Sequence, residues 1–293
     1  MAQTVAVIGL GNMGGGMAAT LRRAGFRVLG SDPGEACRER AAQAGVEVCD
    51  SLAALCAQAQ ILLLSLPTAQ VVEAVVLGPE GVLANARRGQ LLIDTSTSEP
   101  DTTRRLAARL AEVGVAMIDA PVSGGPKAAA SGSMGMLLGG EAADIARAAA
   151  VLDVLAAKRT HIGPAGAGHV AKIANNLLCA AQLIGNAEVV RLAEAAGVDP
   201  QKLIAGINSG SGRSAVSEVN FPTWVLNGAF DSGFTMGLMR KDVRLAKSLA
   251  ESLRLELPLL QQVAALWAQS AESLADGEDF NRIVEMKIGP HSS

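Results

Sequence analysis

The chain opens with Val5-Ala6-Val7-Ile8, a short apolar run stopped by Gly9, and from Met13 its apolar positions recur at helical spacing until residues 24–25. That change of period predicts a strand, a tight turn and a helix. Further apolar runs of strand length occupy residues 26–31, 60–66, 90–94, 116–119 and 134–138, with stretches of helical period between them at 35–44, 68–76 and 100–113. Strands that are apolar throughout and alternate with helices indicate a parallel sheet covered on both faces. Beyond about Gly163 the strand-length runs end, and residues 166–286 read as helix broken at 197–200, 208–212 and 231–233. In the first break Gly197 suits a helix C-terminus, Asp199 an N-cap and Pro200 a first turn. The expected fold class is α/β, a doubly wound sheet over residues 1–163 followed by an all-helical domain over residues 164–293.

A length of 293 residues suits two domains of ordinary size. With 49% hydrophobic and 18% charged residues the chain is not a candidate for extended disorder. No unbroken apolar run approaches the ~18 residues of a membrane span, so a soluble protein without a membrane partner is expected. A net charge of -3, no Tyr, two Trp and five Phe leave little basic or stacking surface, and no nucleic-acid partner is expected. The lack of tyrosine also excludes enzymes that use a tyrosine acid. Cys37, Cys49, Cys56 and Cys179 show no C-x-x-C spacing, and His161, His169 and His291 form no pair at metal-ligand spacing. Neither a metal nor a disulfide framework is expected. No basic segment or cleavage site precedes the first strand, which points to a cytoplasmic protein with free thiols.

Gly9-Leu10-Gly11-Asn12-Met13-Gly14 fits G-x-G-x-x-G, a spacing that is weak alone. Here it follows a strand, opens a helix, and is followed 18 residues after Gly14 by Asp32 at the end of the second strand. In that context the fold is Rossmann-type: Gly9 makes the turn, Gly11 permits pyrophosphate approach, Gly14 lets the helix pack, and the helix N-terminus faces the phosphates. Asp32 would accept from the adenosine ribose hydroxyls and repel a 2'-phosphate, favouring NAD; otherwise it is a solvated turn residue before Pro33. A second motif, Asp119-Ala120-Pro121-Val122-Ser123-Gly124-Gly125-Pro126, follows a strand. Its glycine N–H groups and the Ser123 hydroxyl suit a carboxylate, although a plain turn would use the same residues. In Gly166-Ala167-Gly168-His169-Val170-Ala171-Lys172-Ile173-Ala174-Asn175-Asn176, Lys172 and Asn176 share one helix face and can converge on one small molecule. A lysine that snorkels to the surface is the alternative. His169, one turn earlier, suits a supporting role better than that of a base.

These segments, with Met239-Arg240-Lys241-Asp242, closely resemble in order the motifs of the β-hydroxyacid dehydrogenase family, and the resemblance covers almost the whole chain. It implies an NAD-dependent oxidation of a small β-hydroxy acid to its semialdehyde or ketone, and the reverse reduction. Carried over residue by residue, it implies that Ser123, Gly124 and Gly125 hold the substrate carboxylate, that Lys172 is the catalytic proton carrier, that Asn176 fixes the substrate and that Lys241 lines the cofactor site. Leu10, Asn12 and Met13 of the glycine loop, with Leu66, Pro67 and Thr97, are the other expected cofactor contacts. Ser209-Gly210-Ser211-Gly212-Arg213 looks like the family's Ser-Ser-Gly-Arg segment with Gly210 inserted or substituted. It places Arg213 by the substrate's tail, either facing a polar distal group or held by Glu218 and turned away from an apolar one. Lys172 would either accept the hydroxyl proton or stay charged and stabilise an alkoxide. Imine reductases share the architecture but usually carry another residue where Lys172 stands. A catalytically silent cofactor-binding module is the reading from a different class. The helix expected over residues 166–196 is more apolar than one small domain covers, so a homo-oligomer, dimer or tetramer, is expected.

Overall fold

A computed structural model of the chain describes residues 3–286. It divides into two compact units, Met1–Lys172 and Ile173–Ser293. The first alternates β1 (Thr4–Ile8), α1 (Asn12–Arg23), β2 (Arg27–Ser31), α2 (Glu35–Gln43), β3 (Glu47–Val48), α3 (Leu52–Gln58) and β4 (Ile61–Leu64). There follow α4 (Ala69–Leu77), α5 (Val82–Asn85), β5 (Leu91–Asp94), α6 (Pro100–Glu112) and β6 (Ala116–Asp119). A third run holds β7 (Val122–Ser123), α7 (Gly125–Ser131), β8 (Met134–Gly139), α8 (Ala142–Arg147), α9 (Ala149–Leu155) and β9 (Ala156–Gly163). The strands form one sheet in the order β3-β2-β1-β4-β5-β6-β8-β7, with β9 paired to β8.

From β3 to β6 every pairing is parallel, whereas β8 runs antiparallel to β6 and β7 and parallel to β9. Period-two alternation explains why the central strands are apolar throughout. Val5 and Val7 enter a core with Met17, Leu21 and Ile118; Ala6 and Ile8 enter the one on the other face, with Leu62, Val72 and Leu106. Because β2 and β4 flank β1 on opposite sides, the strand order reverses at β1, and the loops after β1, β4 and β5 surround the crevice where doubly wound sheets bind ligands.

The helix α10 (Ala167–Ala195) begins in the first unit, so the division between the units falls within it, nine residues beyond Gly163. The second unit continues with α11 (Pro200–Asn208), a π-helix over Val216–Val225, α12 (Met236–Ser252), α13 (Pro258–Gln269) and two 3₁₀ segments, Ser270–Glu272 and Phe280–Glu285. Gly197 has φ +79°, and Asp199 caps α11 by accepting from the Lys202 N–H, with Pro200 in its first turn. Pro222 lies within the π-helix. Having no N–H, it cannot continue an α-helical ladder, and the wider turns accommodate it, as the bond from Leu226 N to Phe221 O at 2.9 Å shows. Trp267 and Phe221 are the largest fully buried side chains of this unit's core, and Trp267 donates to Ala180 O.

The structure adds three strands to those the sequence predicts. β3 and β7 are two residues long, and β9, Ala-Ala-Lys-Arg-Thr-His-Ile-Gly, lies at an edge, so it is exposed from Ala157 to Ile162 and carries four polar residues in a row from Lys158. All four cysteines are free thiols. Among the described residues no helix is long and apolar enough to cross a membrane. His291 lies outside the described residues.

Candidate active site

At the C-terminal end of β1, Gly9 has φ +93°, and a Cβ there would lie 2.2 Å from Ser65 O. A Cβ on Gly14 would lie 1.8 Å from Gly9 O, so the first turn of α1 rests directly on the loop that precedes it. Gly11, the N-cap of α1, is different: apart from its immediate chain neighbours, no atom of the described residues lies within 4 Å of a Cβ built there. Two glycines are therefore required by the protein itself, while the third opens a backbone surface at a helix N-terminus, which is what a pyrophosphate needs. Gly14→Ala is expected to weaken NADH binding by about tenfold or more, because the added methyl lifts α1 off the loop. Fluorescence titration with NADH checks this; an unchanged Kd contradicts it.

Asp32 links the loop to the end of β2: Oδ2 accepts from Leu10 N at 2.7 Å and Oδ1 from Gly34 N at 2.7 Å. A carboxylate oxygen has two acceptor sites, so both keep capacity for ribose hydroxyls. Arg38 donates to the carbonyls of Asp32 and Pro33, both at 2.8 Å. Leu66 and Pro67 follow β4 and Thr97 follows β5, and the two loops are joined where Leu66 N donates to Ser96 Oγ at 3.0 Å. The glycine loop, the α1 N-terminus, Asp32 and these loop residues thus fit a dinucleotide.

The second cluster of the first unit joins residues far apart in sequence. Ser123 ends β7, and α7 opens at Gly124 and Gly125, whose φ values of +112° and +67° favour glycine. Lys172 Nζ donates to Ser123 Oγ at 3.0 Å, and Lys172 is only 6% exposed, so it is not a snorkelling surface lysine. With Oγ accepting from Lys172, the Ser123 hydroxyl proton remains available to an incoming carboxylate.

His169 is wholly buried, and its ring is fully engaged. Nε2 lies 2.9 Å from Ser96 O, a carbonyl that can only accept, so Nε2 donates there, and Nδ1 is hydrogen-bonded to Thr103 Oγ at 2.8 Å. The ring thus braces the start of α10.

Asn176 follows Lys172 by one turn of the unbroken helix α10. It is buried; its Nδ2 donates to Asp242 Oδ2 at 2.5 Å, and its Oδ1 accepts from Asn175 Nδ2 at 3.1 Å. These two bonds fix which way its amide points. Among the described residues Asp242 Oδ1 has no hydrogen-bond partner, and Lys241 Nζ lies 3.6 Å away, close enough to offset the buried charge but too far for a hydrogen bond. Of the same motif, Arg240 is buried and structural: it donates to Ser270 Oγ and Leu274 O and pairs with Asp276 at 2.6 Å. Arg213 lies between α11 and the π-helix with its side chain 62% exposed and its Nε 3.5 Å from Glu218. Asp119 and Asp242 appear in the sequence only as motif letters; nothing about them there reveals that each holds another functional segment in place.

Residues 4–163 match the family model of the NAD-binding domain of 6-phosphogluconate dehydrogenase, and residues 166–287 match that described as the NAD-binding region of NADP-dependent 3-hydroxyisobutyrate dehydrogenase. A 3-hydroxyisobutyrate dehydrogenase of Pseudomonas aeruginosa is 36% identical, covering 97% of this chain and 98% of its own. The chain belongs to the β-hydroxyacid dehydrogenase family. Its relatives in the β-hydroxyacid dehydrogenase family are not confined to one substrate: a 2-(hydroxymethyl)glutarate dehydrogenase of Eubacterium barkeri is 32% identical over 96% of this chain and 94% of its own. A solved structure of Mycobacterium tuberculosis 3-hydroxyisobutyrate dehydrogenase with L-serine superposes with a TM-score of 0.92 at 37% identity, covering 97% of this chain and 99% of that one.

Proposed function

We propose that the protein uses NAD to oxidise the hydroxyl of a short β-hydroxy monoacid, of the 3-hydroxyisobutyrate kind, and catalyses the reverse reduction. The observation that carries this reading is the 3.0 Å bond between Lys172 Nζ and Ser123 Oγ, which joins a proton-handling group to a carboxylate-binding loop. The Ser123 hydroxyl and the N–H groups of Gly124 and Gly125 hold the carboxylate, Lys172 handles the hydroxyl proton, and Asn176, with its amide fixed by Asp242, orients the substrate. Gly9 to Gly14, Asp32, Leu66, Pro67, Thr97 and Lys241 hold the dinucleotide. Bound NAD supplies the hydride acceptor. L-serine, seen with the Mycobacterium tuberculosis relative, is itself a β-hydroxy acid and supports this substrate class. The deciding experiment follows NADH fluorescence against C3 to C5 hydroxy acids, with sugar phosphates and cyclic imines as rival substrates. Turnover of a β-hydroxy acid is expected; activity confined to either rival, or none with any hydroxy acid, sinks the reading.

Arg213 separates two versions of the tail pocket. Its pairing with Glu218 supports an arginine turned away from an apolar tail. Arg213→Ala is then expected to change KM by less than about threefold, and equally for the preferred acid and for 3-hydroxypropionate, since an exposed ion pair contributes little. A KM rise only for the larger acid would place Arg213 on the tail. Leu178 and Leu192 of α10 are 61% and 71% exposed, which supports the expected homo-oligomer; light scattering is expected to give at least a dimer. We further propose a cytoplasmic location, which the four free thiols support.

A further inference from the structure

Lys172 and Ser123 are both referenced to one buried carboxylate. Asp119 is the last residue of β6, and the loop that delivers Ser123 leaves from it four residues earlier in the chain. Asp119 is wholly buried. Its Oδ1 accepts from Gly166 N at 2.7 Å and its Oδ2 from His169 N at 2.9 Å, so the carboxylate closes onto the N-terminal end of α10, where donors lack partners within the helix.

The surrounding glycines make room for this. A Cβ on Gly139 would lie 2.4 Å from Asp119 Oδ1, and one on Gly168 would lie 2.8 Å from Asp119 Oδ2 and 2.4 Å from Leu137 O. Gly166 presents its N–H from φ +87°. The Gly-x-Gly at 166–168 is thus explained as a docking surface for the carboxylate. The His169 ring adds two bonds, to Thr103 and to Ser96, that tie the same turn to α6 and to the loop after β5. Lys172 lies three residues beyond His169, roughly 4.5 Å further along the helix axis.

We propose that Asp119 is a positioning residue for Lys172, setting the start of α10 against the loop of Ser123 so that Nζ and Oγ meet. This rests on the catalytic role proposed for Lys172. Misplacement of a reacting group by about 1 Å can lower turnover by ~100-fold, so the register of this turn is worth holding with a charge-assisted pair of bonds.

The test is a double-mutant cycle on the full-length enzyme. Asp119→Asn keeps the volume but turns an N–H₂ group toward one of the two N–H donors. It is expected to lower kcat about tenfold to thirtyfold, to leave the Kd for NADH within about twofold, and to cause no further loss in a Lys172→Ala background. Gly168→Ala, whose methyl presses on Asp119 Oδ2 and Leu137 O and so displaces the same turn while leaving the carboxylate chemically intact, is expected to behave alike and serves if Asp119→Asn does not fold. Hydrogen exchange of residues 164–172 is expected to quicken in both variants. Unchanged exchange in this segment overturns the proposal whatever catalysis does. So does a kcat loss that adds to that of Lys172→Ala, or a parallel loss of NADH affinity, because either makes Asp119 general scaffold. If Lys172→Ala itself leaves turnover intact, the catalytic reading of Lys172 has failed, and the exchange measurement still decides whether Asp119 holds the helix.

Discussion

Lys172→Ala is expected to lower kcat by ~100-fold or more, the scale of lost acid–base or electrostatic help at the reacting oxygen, while the Kd for NADH stays within about twofold. The separation is expected because the cradle proposed for the dinucleotide phosphates lies in the loops after β1, β4 and β5, whereas Lys172 is tied to Ser123 after β7. Lys172→Met, which retains most of the buried stem, is expected to lose the same activity with a smaller drop in Tm, since it leaves less of a cavity. Lys172→Arg divides the two roles of the ammonium group. Arginine keeps the charge but cannot give up its proton near neutral pH, so an enzyme that needs only a cation beside the alkoxide retains part of its activity, and one that needs a proton acceptor does not. Stopped-flow NADH formation and fluorescence titration measure both constants. Equal losses of kcat and NADH affinity in Lys172→Met would mean that Lys172 is structural.

Much of the fold is legible because the buried strands are apolar on both faces: residues 61–64 and 91–94 stand out in any window, and each proves to be a fully buried strand. β9 is hidden for the opposite reason. It pairs along one edge only, so its faces carry Lys158, Arg159 and His161, and the periodicity that marks a core strand is absent. The glycine-rich loop is legible because the positive φ of Gly9 and the close approach of Gly14 to Gly9 O arise within six residues, even though Ser65 O also crowds Gly9 from a distant loop. By contrast, the contact between Lys172 and Ser123 depends on how a turn at residues 166–169 rests on the end of β6, across 47 residues of sequence. A carboxylate that accepts from backbone N–H groups, as Asp119 does, or from a distant side-chain amide, as Asp242 does, leaves no periodic signature. Asp119 and Asp242 therefore carry their information in three dimensions only, whereas Asp32 is readable from its distance to a glycine motif.

Cofactor choice has the other large expected effect. The unaltered enzyme is expected to favour NAD over NADP in kcat/KM, because a 2'-phosphate would be brought against the carboxylate of Asp32. Asp32→Ser with Pro33→Arg is expected to shift the NAD to NADP ratio by ~100-fold, roughly 2.7 kcal/mol of differential binding, since it removes a repulsive charge and adds a phosphate-pairing fork. Arg38 stands ready to help: it is already held on the carbonyls of residues 32 and 33, next to the new guanidinium. The exchange has a foreseeable side effect. Asp32 also accepts from Leu10 N and Gly34 N, so a serine, with one oxygen in place of two, frees at least one of those donors and loosens the glycine loop. Absolute efficiency should therefore fall with both cofactors while the ratio reverses. Asp32→Asn alone separates the contributions, because it removes the charge but keeps an oxygen for one of the two N–H groups. It is expected to narrow the preference by about tenfold without reversing it. Steady-state kinetics with both dinucleotides measures these ratios. Equal or better efficiency of the unaltered enzyme with NADP would show that Asp32 serves the loop alone.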